Sequence, residues 1–428
     1  MEVHLNAGGS LRGEIKVPGD KSISHRALIL GAIAAGDTEI SDMLMGEDCL
    51  STLKCLEKMG LQHSPVNAKS FSVSGLGLEG LKEPNEILDA GNSGTTMRLL
   101  MGLLAGQNFY SVISGDNSLL RRPMDRVTIP LLSMGSEIWG RAEGRLAPIS
   151  IRGGNLKSIS YKSPVASAQL KSAILLAALF AEGETSVKEP FISRDHTERM
   201  LNGFGVEINQ KEKTVKIKGK QKLWGQKITV PGDISSAAFF LVAGAITPGS
   251  SILLQNIGIN PTRTGLLDVL KQMGAKIKVI DQREVAGEPV GDILVEYSEL
   301  HGIEISGEVI PRLIDEIPII AIAATQAQGT TLIKDASELR IKESDRIGLL
   351  AASLKMLGAQ VEELSDGIII EGGKALKGRR LDCGGDHRMA MCLAIAAIVA
   401  DGETIIKGAE SVNISFPNFF DTLAILRK

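Results

Sequence analysis

Along the chain, a small polar cluster, an apolar stretch, a glycine and a short β-like run recur in the same order. The apolar stretches occupy 24–36, 95–106, 168–183, 236–249, 316–329 and 387–402, each closed by a glycine, and those glycines recur roughly every 70 residues. Ala, Leu and Ile cover nearly the whole circumference of each stretch, which predicts a helix buried on all sides rather than an amphipathic surface helix. After each of the first five closing glycines comes a helix-period segment with its own terminal glycine, such as Leu56-Glu57-Lys58-Met59-Gly60 or Lys271-Gln272-Met273-Gly274. An alternating strand follows, as in Ala275-Lys276-Ile277-Lys278-Val279-Ile280.

The pattern predicts an α/β protein of six pseudo-repeats, each strand-helix-strand-helix-strand-strand. First helices that are fully buried do not suit a thin solenoid with an open face. Two inside-out domains suit them better, three repeats in each, with helices inside and sheets outside. The expected limits are 1–19 plus 233–428 for a discontinuous first domain completed by the N-terminal strand, and 20–232 for the second. The chain would cross at two segments of like sequence, Pro18-Gly19-Asp20 and Pro231-Gly232-Asp233, a candidate paired hinge.

Composition narrows the class. Of 428 residues 43% are apolar but only 4% aromatic, so the core must be built from Ala, Leu, Ile and Val. A net charge of −3 with both signs interspersed argues against a dedicated nucleic-acid or anionic-membrane binder. The longest apolar run, 389–400, falls short of the roughly 18 residues of a membrane span. No signal peptide is visible at the N-terminus. Cys49, Cys55, Cys383 and Cys392 form no CxxC pair and the six histidines show no zinc spacing. These features predict a reduced, cytoplasmic, metal-free protein.

The chemistry concentrates where the buried helices begin. Pro18-Gly19-Asp20-Lys21-Ser22-Ile23-Ser24-His25-Arg26 opens the first, Asp89-Ala90-Gly91-Asn92-Ser93-Gly94-Thr95-Thr96-Met97-Arg98 the second, and Ser163-Pro164-Val165-Ala166-Ser167-Ala168-Gln169 the third. Gly384-Gly385-Asp386-His387-Arg388 opens the sixth. A helix N-terminus carries unpaired N–H groups and about half a positive charge. Three such ends per domain would attract anions into a cleft between the domains. Ser, Asp and Asn there also read simply as caps, and Gly91-Asn92-Ser93-Gly94 as a tight turn. It is not a Walker loop, and no GxGxxG follows a strand. Basic residues near a helix start are harder to explain, because the dipole disfavours them and Lys21 and Arg26 gain nothing structural there. A phosphate or carboxylate ligand would supply the anion. Leu119-Leu120-Arg121-Arg122-Pro123-Met124 offers a basic pair ahead of a proline, otherwise a solvated loop. The charge-dense Leu339-Arg340-Ile341-Lys342-Glu343-Ser344-Asp345-Arg346 reads otherwise as an exposed, salt-bridged helix start. Asp315-Glu316 precede an apolar helix, as caps or as an acid or base held in the cleft.

These segments, together with Asp386-His387-Arg388-Met389-Ala390-Met391 and Ser415-Phe416-Pro417, resemble the 5-enolpyruvylshikimate-3-phosphate synthase family, in order and over the whole chain. The resemblance implies a transferase of the shikimate pathway. It would move the enolpyruvyl group of phosphoenolpyruvate to the 5-hydroxyl of shikimate 3-phosphate and release phosphate, by addition and elimination through a tetrahedral intermediate. It implies no cofactor, a monomer, and inhibition by glyphosate at the phosphoenolpyruvate site. Carried over by motif, Lys21, Ser22, Arg26, Ser167, Ala168, Gln169, Arg194, Asp315 and Lys342 would contact shikimate 3-phosphate. Lys21, Asn92, Gly94, Arg122, Gln169, Glu343, Arg346 and Arg388 would line the phosphoenolpyruvate site. Lys21, Asp315 and Glu343 are the catalytic candidates, groups that hold and return protons. Gly94 would let the backbone approach a ligand with no Cβ in the way, the alternative being a positive φ. Some members have Ser where Ala168 stands, and some have Lys where Ile414 stands. The alternatives are the enolpyruvyl transferase acting on UDP-N-acetylglucosamine, which usually carries a loop cysteine absent from 119–122 here, and a non-enzymatic anion-binding protein.

Overall fold

Six helices sunk in apolar surroundings organise the structure, a computed structural model that describes residues 1–67 and 69–427. They are α1 (Lys21–Ile33), α2 (Gly94–Ala105), α3 (Ala168–Ala178), α4 (Ile234–Ile246), α5 (Ile317–Thr325) and α6 (His387–Ala397). Every residue of α4, α5 and α6 is buried. Each helix is matched by a second one later in its repeat, such as Glu47–Lys58 or Gly265–Gln272. These second helices keep one face exposed, which is why their sequences show helical periodicity and those of the first do not.

The sheets repeat one plan. Two parallel strands lie side by side and an antiparallel strand pairs with the second of them. In the repeat of α2 the strands Leu88–Asp89 and Tyr110–Ser114 flank the helix and run parallel; Leu146–Arg152 pairs antiparallel with the latter and Glu137–Gly140 closes the sheet. The repeats of α3, α5 and α6 use the same parallel flanking pair. The repeats of α1 and α4 exchange their first strands. Arg12–Lys16, which precedes α1, pairs parallel with Ser251–Gly258, and Lys227–Thr229, which precedes α4, pairs parallel with Ala35–Ser41. No sheet among the described residues exceeds four strands, and none closes into a barrel.

The chain divides into two units, Met1–Pro18 with Pro231–Arg283 and Pro289–Lys428, and Gly19–Val230 with Glu284–Glu288. Each has its own apolar core. The sequence pattern did not anticipate the five-residue piece Glu284–Glu288 of the second unit. It is the tip of the hairpin formed by Lys276–Val285 and Glu288–Glu296. Its Glu288 carboxylate lies 2.7 Å from Nδ1 of His196, both side chains buried, and Gly287 C=O accepts from Arg199.

Ala and Gly let the buried helices come close together. In the second unit α2 meets α3 at Gly102, where a Cβ would stand 2.3 Å from the carbonyl oxygen of Ala173. That neighbour is backbone and cannot swing aside. Gly102→Ala is therefore expected to force α2 and α3 apart and cost about 1–3 kcal/mol, read as a lower melting temperature. An unchanged melting temperature would show that the helix pair tolerates a wider spacing.

Candidate functional site

Two clusters of polar side chains surround the buried-helix starts, one in each unit. The caps come first. Asp20 accepts from Ile23 N–H, Ser93 from Thr96, Ser167 from Leu170, Asp233 from Ser235 and Asp386 from Arg388. Each satisfies an N–H that the helix itself leaves open.

In the second unit Lys21 is the first residue of α1, and its Nζ lies 3.0 Å from Oδ2 of Asp48. Arg26 sits in the next turn, only 4% exposed. It donates to Thr197 Oγ1 (2.6 Å), Ser172 Oγ (2.7 Å) and the carbonyl of Ser22 (2.9 Å). The expectation that Lys21 and Arg26 gain nothing structural is thus corrected: each has built-in partners, and Arg26 ties α1 to α3 and to the helix His196–Gly203. Burial lowers the Arg26 pKa to about 10, with Glu198 and Asp20 acting in the opposite sense. The guanidinium stays charged at neutral pH.

The Asn92-Ser93-Gly94 turn is braced from both sides. Arg122 donates to the Asn92 carbonyl at 3.2 Å and also to its Oδ1, while Asn92 Nδ2 donates to Asp116 at 2.6 Å. Arg98 donates to Gln169 Oε1 (2.8 Å) and Gln169 in turn donates to Thr95 Oγ1 (2.9 Å), so the start of α3 is pinned to the start of α2. Gly94 does not occupy the left-handed region. Gly91 does, at φ 56°, so the tight turn needs its glycine there. A Cβ on Gly94 would meet Arg98 Nη1 at 2.9 Å and Arg122 Nη1 at 3.5 Å. Gly94 therefore makes room for two guanidinium groups. Behind the turn, His25 Nδ1, Thr52 Oγ1, Thr96 Oγ1 and Ser93 Oγ form a buried hydrogen-bonded chain with links of 2.7, 2.7 and 2.8 Å.

The backbones of Ser167 and of Ser193, the residue before Arg194, are bonded to a buried charged cluster that the sequence reading missed. Lys171 Nζ lies 2.8 Å from both Glu189 Oε2 and Glu198 Oε1. Burial opposes the Lys171 charge, but the two carboxylates outweigh it and raise its pKa. Burial raises the Glu198 carboxyl against the pull of Lys171. The available signal was a lysine in the first turn of an Ala- and Leu-rich helix sequence, Ala168-Gln169-Leu170-Lys171-Ser172-Ala173.

In the first unit the segment holding Lys342, Glu343 and Arg346 is not the exposed helix start that its charge density suggested. It forms a 3-10 turn, Ser337–Ile341, and then the helix Arg346–Met356, with Arg346 only 1% exposed. Arg346 Nε lies 2.8 Å from Asp386 Oδ2, Nη2 2.6 Å from Glu343 Oε2 and Nη1 3.4 Å from Asp315 Oδ1. Burial works against this charge, but Asp386, Glu343 and Asp315 outweigh it and raise the Arg346 pKa. Burial likewise opposes the Asp386 charge, and Arg346 prevails to hold its carboxyl below the ordinary range. Lys342 Nζ stands 3.6 Å from Asp315, and Arg388 Nη1 3.5 Å from the Asp315 carbonyl. The motif residues thus fall into two groups. Lys21, Ser22, Arg26, Asn92, Gly94, Arg122, Ser167, Ala168, Gln169 and Arg194 belong to the second unit; Asp315, Lys342, Glu343, Arg346 and Arg388 belong to the first. No three His, Cys, Asp or Glu side chains among the described residues are grouped to hold a metal ion, and no described helix is long and apolar enough to cross a membrane.

The sequence profile of the EPSP synthase (3-phosphoshikimate 1-carboxyvinyltransferase) family matches residues 5–423. The 3-phosphoshikimate 1-carboxyvinyltransferase of Desulforamulus reducens is 58% identical over 424 residues, covering 99% of both chains. That of Pelotomaculum thermopropionicum is 54% identical over 425 residues, 99% of this chain and 98% of the relative. Among solved structures, the EPSP synthase of Acinetobacter baumannii superposes with a TM-score of 0.89 at 45% identity, over 100% of this chain and 98% of that one. The enolpyruvyl transferase NikO of Streptomyces tendae shares the fold at 18% identity, with a TM-score of 0.79 over 99% of this chain and 96% of that one.

His25 generates a pH prediction. Complete burial pushes its imidazole down from 6.5 to about 3, with Asp48 opposing and Lys21 and Arg26 assisting. A depressed histidine pKa means that the unfolded chain takes up a proton before the folded one does. Stability is then full above pH 6.5 and is lost as pH falls toward 3. Between pH 6.5 and 5 the loss is about 2 kcal/mol. Denaturant titrations at pH 7 and 5 should show this loss, and His25→Asn, which cannot titrate, should show a smaller one. Equal losses would mean that His25 titrates alike in the folded and unfolded chain.

Proposed function

The chain belongs to the EPSP synthase (3-phosphoshikimate 1-carboxyvinyltransferase) family, and from that premise we propose how its two clusters divide the work of this shikimate-pathway transferase. Shikimate 3-phosphate takes Lys21, Ser22, Arg26, Ser167, Ala168, Gln169 and Arg194 from the second unit, with Asp315 and Lys342 from the first. Phosphoenolpyruvate takes Lys21, Asn92, Gly94, Arg122 and Gln169 together with Glu343, Arg346 and Arg388. The observation that carries this reading is the set of cationic side chains around the starts of α1, α2 and α3, pinned to one another through Gln169 and the Asn92 turn. Such a frame suits two phosphorylated, carboxylated substrates and holds its donors fixed before they bind.

In the reaction the 5-hydroxyl oxygen attacks C2 of phosphoenolpyruvate and gives up its proton, while the methylene carbon gains one. The resulting tetrahedral ketal then loses a methyl proton, re-forms the double bond and expels phosphate, whose leaving oxygen takes up a proton. Two proton transfers out and two in need groups that hold and return protons. Lys21, Asp315 and Glu343 are assigned that work. Glu343 is oriented by Arg346 at 2.6 Å, and Asp315 lies between Lys342 and Arg346. The transferase acting on UDP-N-acetylglucosamine is the less supported reading. All four cysteines are buried, and none lies in the turn Leu119–Arg121 or at Arg122. Burial pushes the Cys55 thiol up to about 12. Phosphate release measured with phosphoenolpyruvate and either shikimate 3-phosphate or UDP-N-acetylglucosamine separates the readings. Turnover with the first alone is expected; binding without turnover would leave only an anion-binding protein.

Glu343→Gln keeps the shape of the side chain and removes its proton chemistry. It should lower kcat by about 10² or more while shikimate 3-phosphate still binds. Near-normal turnover would reduce Glu343 to a partner of Arg346.

Glyphosate is assigned to the phosphoenolpyruvate site. In Gly94→Ala the new methyl must displace the Arg98 guanidinium, and the longer inhibitor has less room to adapt than the substrate. Overpacking of about 1–3 kcal/mol corresponds to about a tenfold to hundredfold weaker inhibition. The KM for phosphoenolpyruvate should rise less. The melting temperature should hold, because the backbone at Gly94 is open to any L residue. Unchanged inhibition in the folded variant would move glyphosate away from this turn.

A further inference from the structure

Glu189 stands just past the strand Glu184–Lys188 and is 5% exposed, with both carboxylate oxygens taken up by protein donors. Its two carboxylate oxygens go to different loops. Oε1 accepts the backbone N–H of Ser167 at 3.1 Å, and Oε2 accepts that of Ser193 at 3.4 Å. Lys171, one turn into α3 from Ser167, approaches the same Oε2 at 2.8 Å and donates to the Ser193 carbonyl at 3.3 Å. Ser193 is therefore held at both its N–H and its C=O, and the next residue is Arg194.

We infer that Glu189, ion-paired with Lys171, is a positioning residue that sets the spacing between the loops of Ser167 and Arg194, and so the grip on the phosphate of shikimate 3-phosphate. This rests on the assignment of that substrate to those two residues. Packing alone does not call for charges here. Burying an ammonium between two carboxylates is costly in desolvation, and apolar side chains of the same volume would fill the space at least as well. No apolar side chain can accept from the Ser167 and Ser193 backbones at once. A carboxylate accepts both through charge-assisted bonds, which hold donors more tightly than neutral ones. The pair also explains why a lysine lies in a buried helix rich in Ala and Leu: from that position one ammonium reaches Glu189, Glu198 and the Ser193 carbonyl together.

The test uses calorimetric titration with shikimate 3-phosphate, steady-state kinetics and melting temperatures on the full chain. Glu189→Asp keeps the charge but withdraws the carboxylate by one methylene. It should weaken shikimate 3-phosphate binding tenfold or more, while the KM for phosphoenolpyruvate and kcat at saturation stay within threefold. Glu189→Gln should show the same split, and serves if the Asp variant does not fold. Glu198→Gln disturbs the same buried cluster without touching either backbone N–H, so it should shift the melting temperature but leave affinity within threefold. Arg194→Ala should itself weaken binding tenfold or more. Normal affinity in folded Glu189 variants beside a weakened Arg194→Ala would overturn the inference and leave the site assignment standing. So would equal losses in the Glu189 and Glu198 variants, or failure of both Glu189 variants to fold, since each marks a purely structural role. Normal affinity in Arg194→Ala would overturn the site assignment and the inference with it.

Discussion

A helix enclosed by apolar side chains on every side has polar groups to offer only at its ends. That constraint governs this protein. Six helices lie in such surroundings, and the N–H groups at their starts must be met by a cap, a neighbouring side chain or a ligand. Most of each helix body serves packing, which is why Ala, Leu and Ile dominate there and why Gly102 can lie against the backbone of Ala173. Chemistry is left to the few residues before and within the first two turns of each helix.

Much of this was legible in the chain. Six apolar stretches of like length, each closed by glycine, gave the helix count and their burial, because a fully enclosed helix needs apolar residues at every position. What was not legible depends on contacts between distant segments. Arg346 sits in a stretch of charges that, by density alone, belongs in solvent. It is buried because Asp386, forty positions on, and Asp315, thirty-one back, face it. Arg26 looked idle for want of visible neighbours, yet Ser172 and Thr197 complete its hydrogen bonds from 146 and 171 positions away. Of the two readings of Gly94, close approach to a ligand or a positive φ, the second fails: the left-handed position belongs to Gly91, three residues earlier. Local pattern reports burial and caps well, and reports long-range ion pairing hardly at all.

The buried charges follow one rule in both units. Taking a lone ion out of water costs several kcal/mol, so each buried ion is met by more than one partner of opposite sign or by neutral donors and acceptors. Arg346 meets three carboxylates and Lys171 meets two. Arg26 is met by two hydroxyls and a carbonyl, with Glu198 and Asp20 acting from further away. Such groups have one low-energy arrangement rather than many, which suits a site whose donors must already point correctly when the substrate arrives.

The choice of residue at the cap position then gives the two units different electrostatic character on the same topology. In the second unit α2 and α3 begin with the neutral caps Ser93 and Ser167, and only α1 has an acid at that position, Asp20. In the first unit all three positions are acidic: Asp233, Glu316 and Asp386. Each of these acids has drawn an arginine: Arg263 at 2.9 Å from Asp233, Arg346 at 2.8 Å from Asp386, and Arg388 at 4.0 Å from Glu316. Serine caps keep a helix start available to an anion. Acidic caps instead assemble carboxylates and guanidinium groups into an array whose protons have defined neighbours. One repeat, with the cap position varied between Ser and Asp or Glu, thus surrounds its helix starts with different charges in the two units.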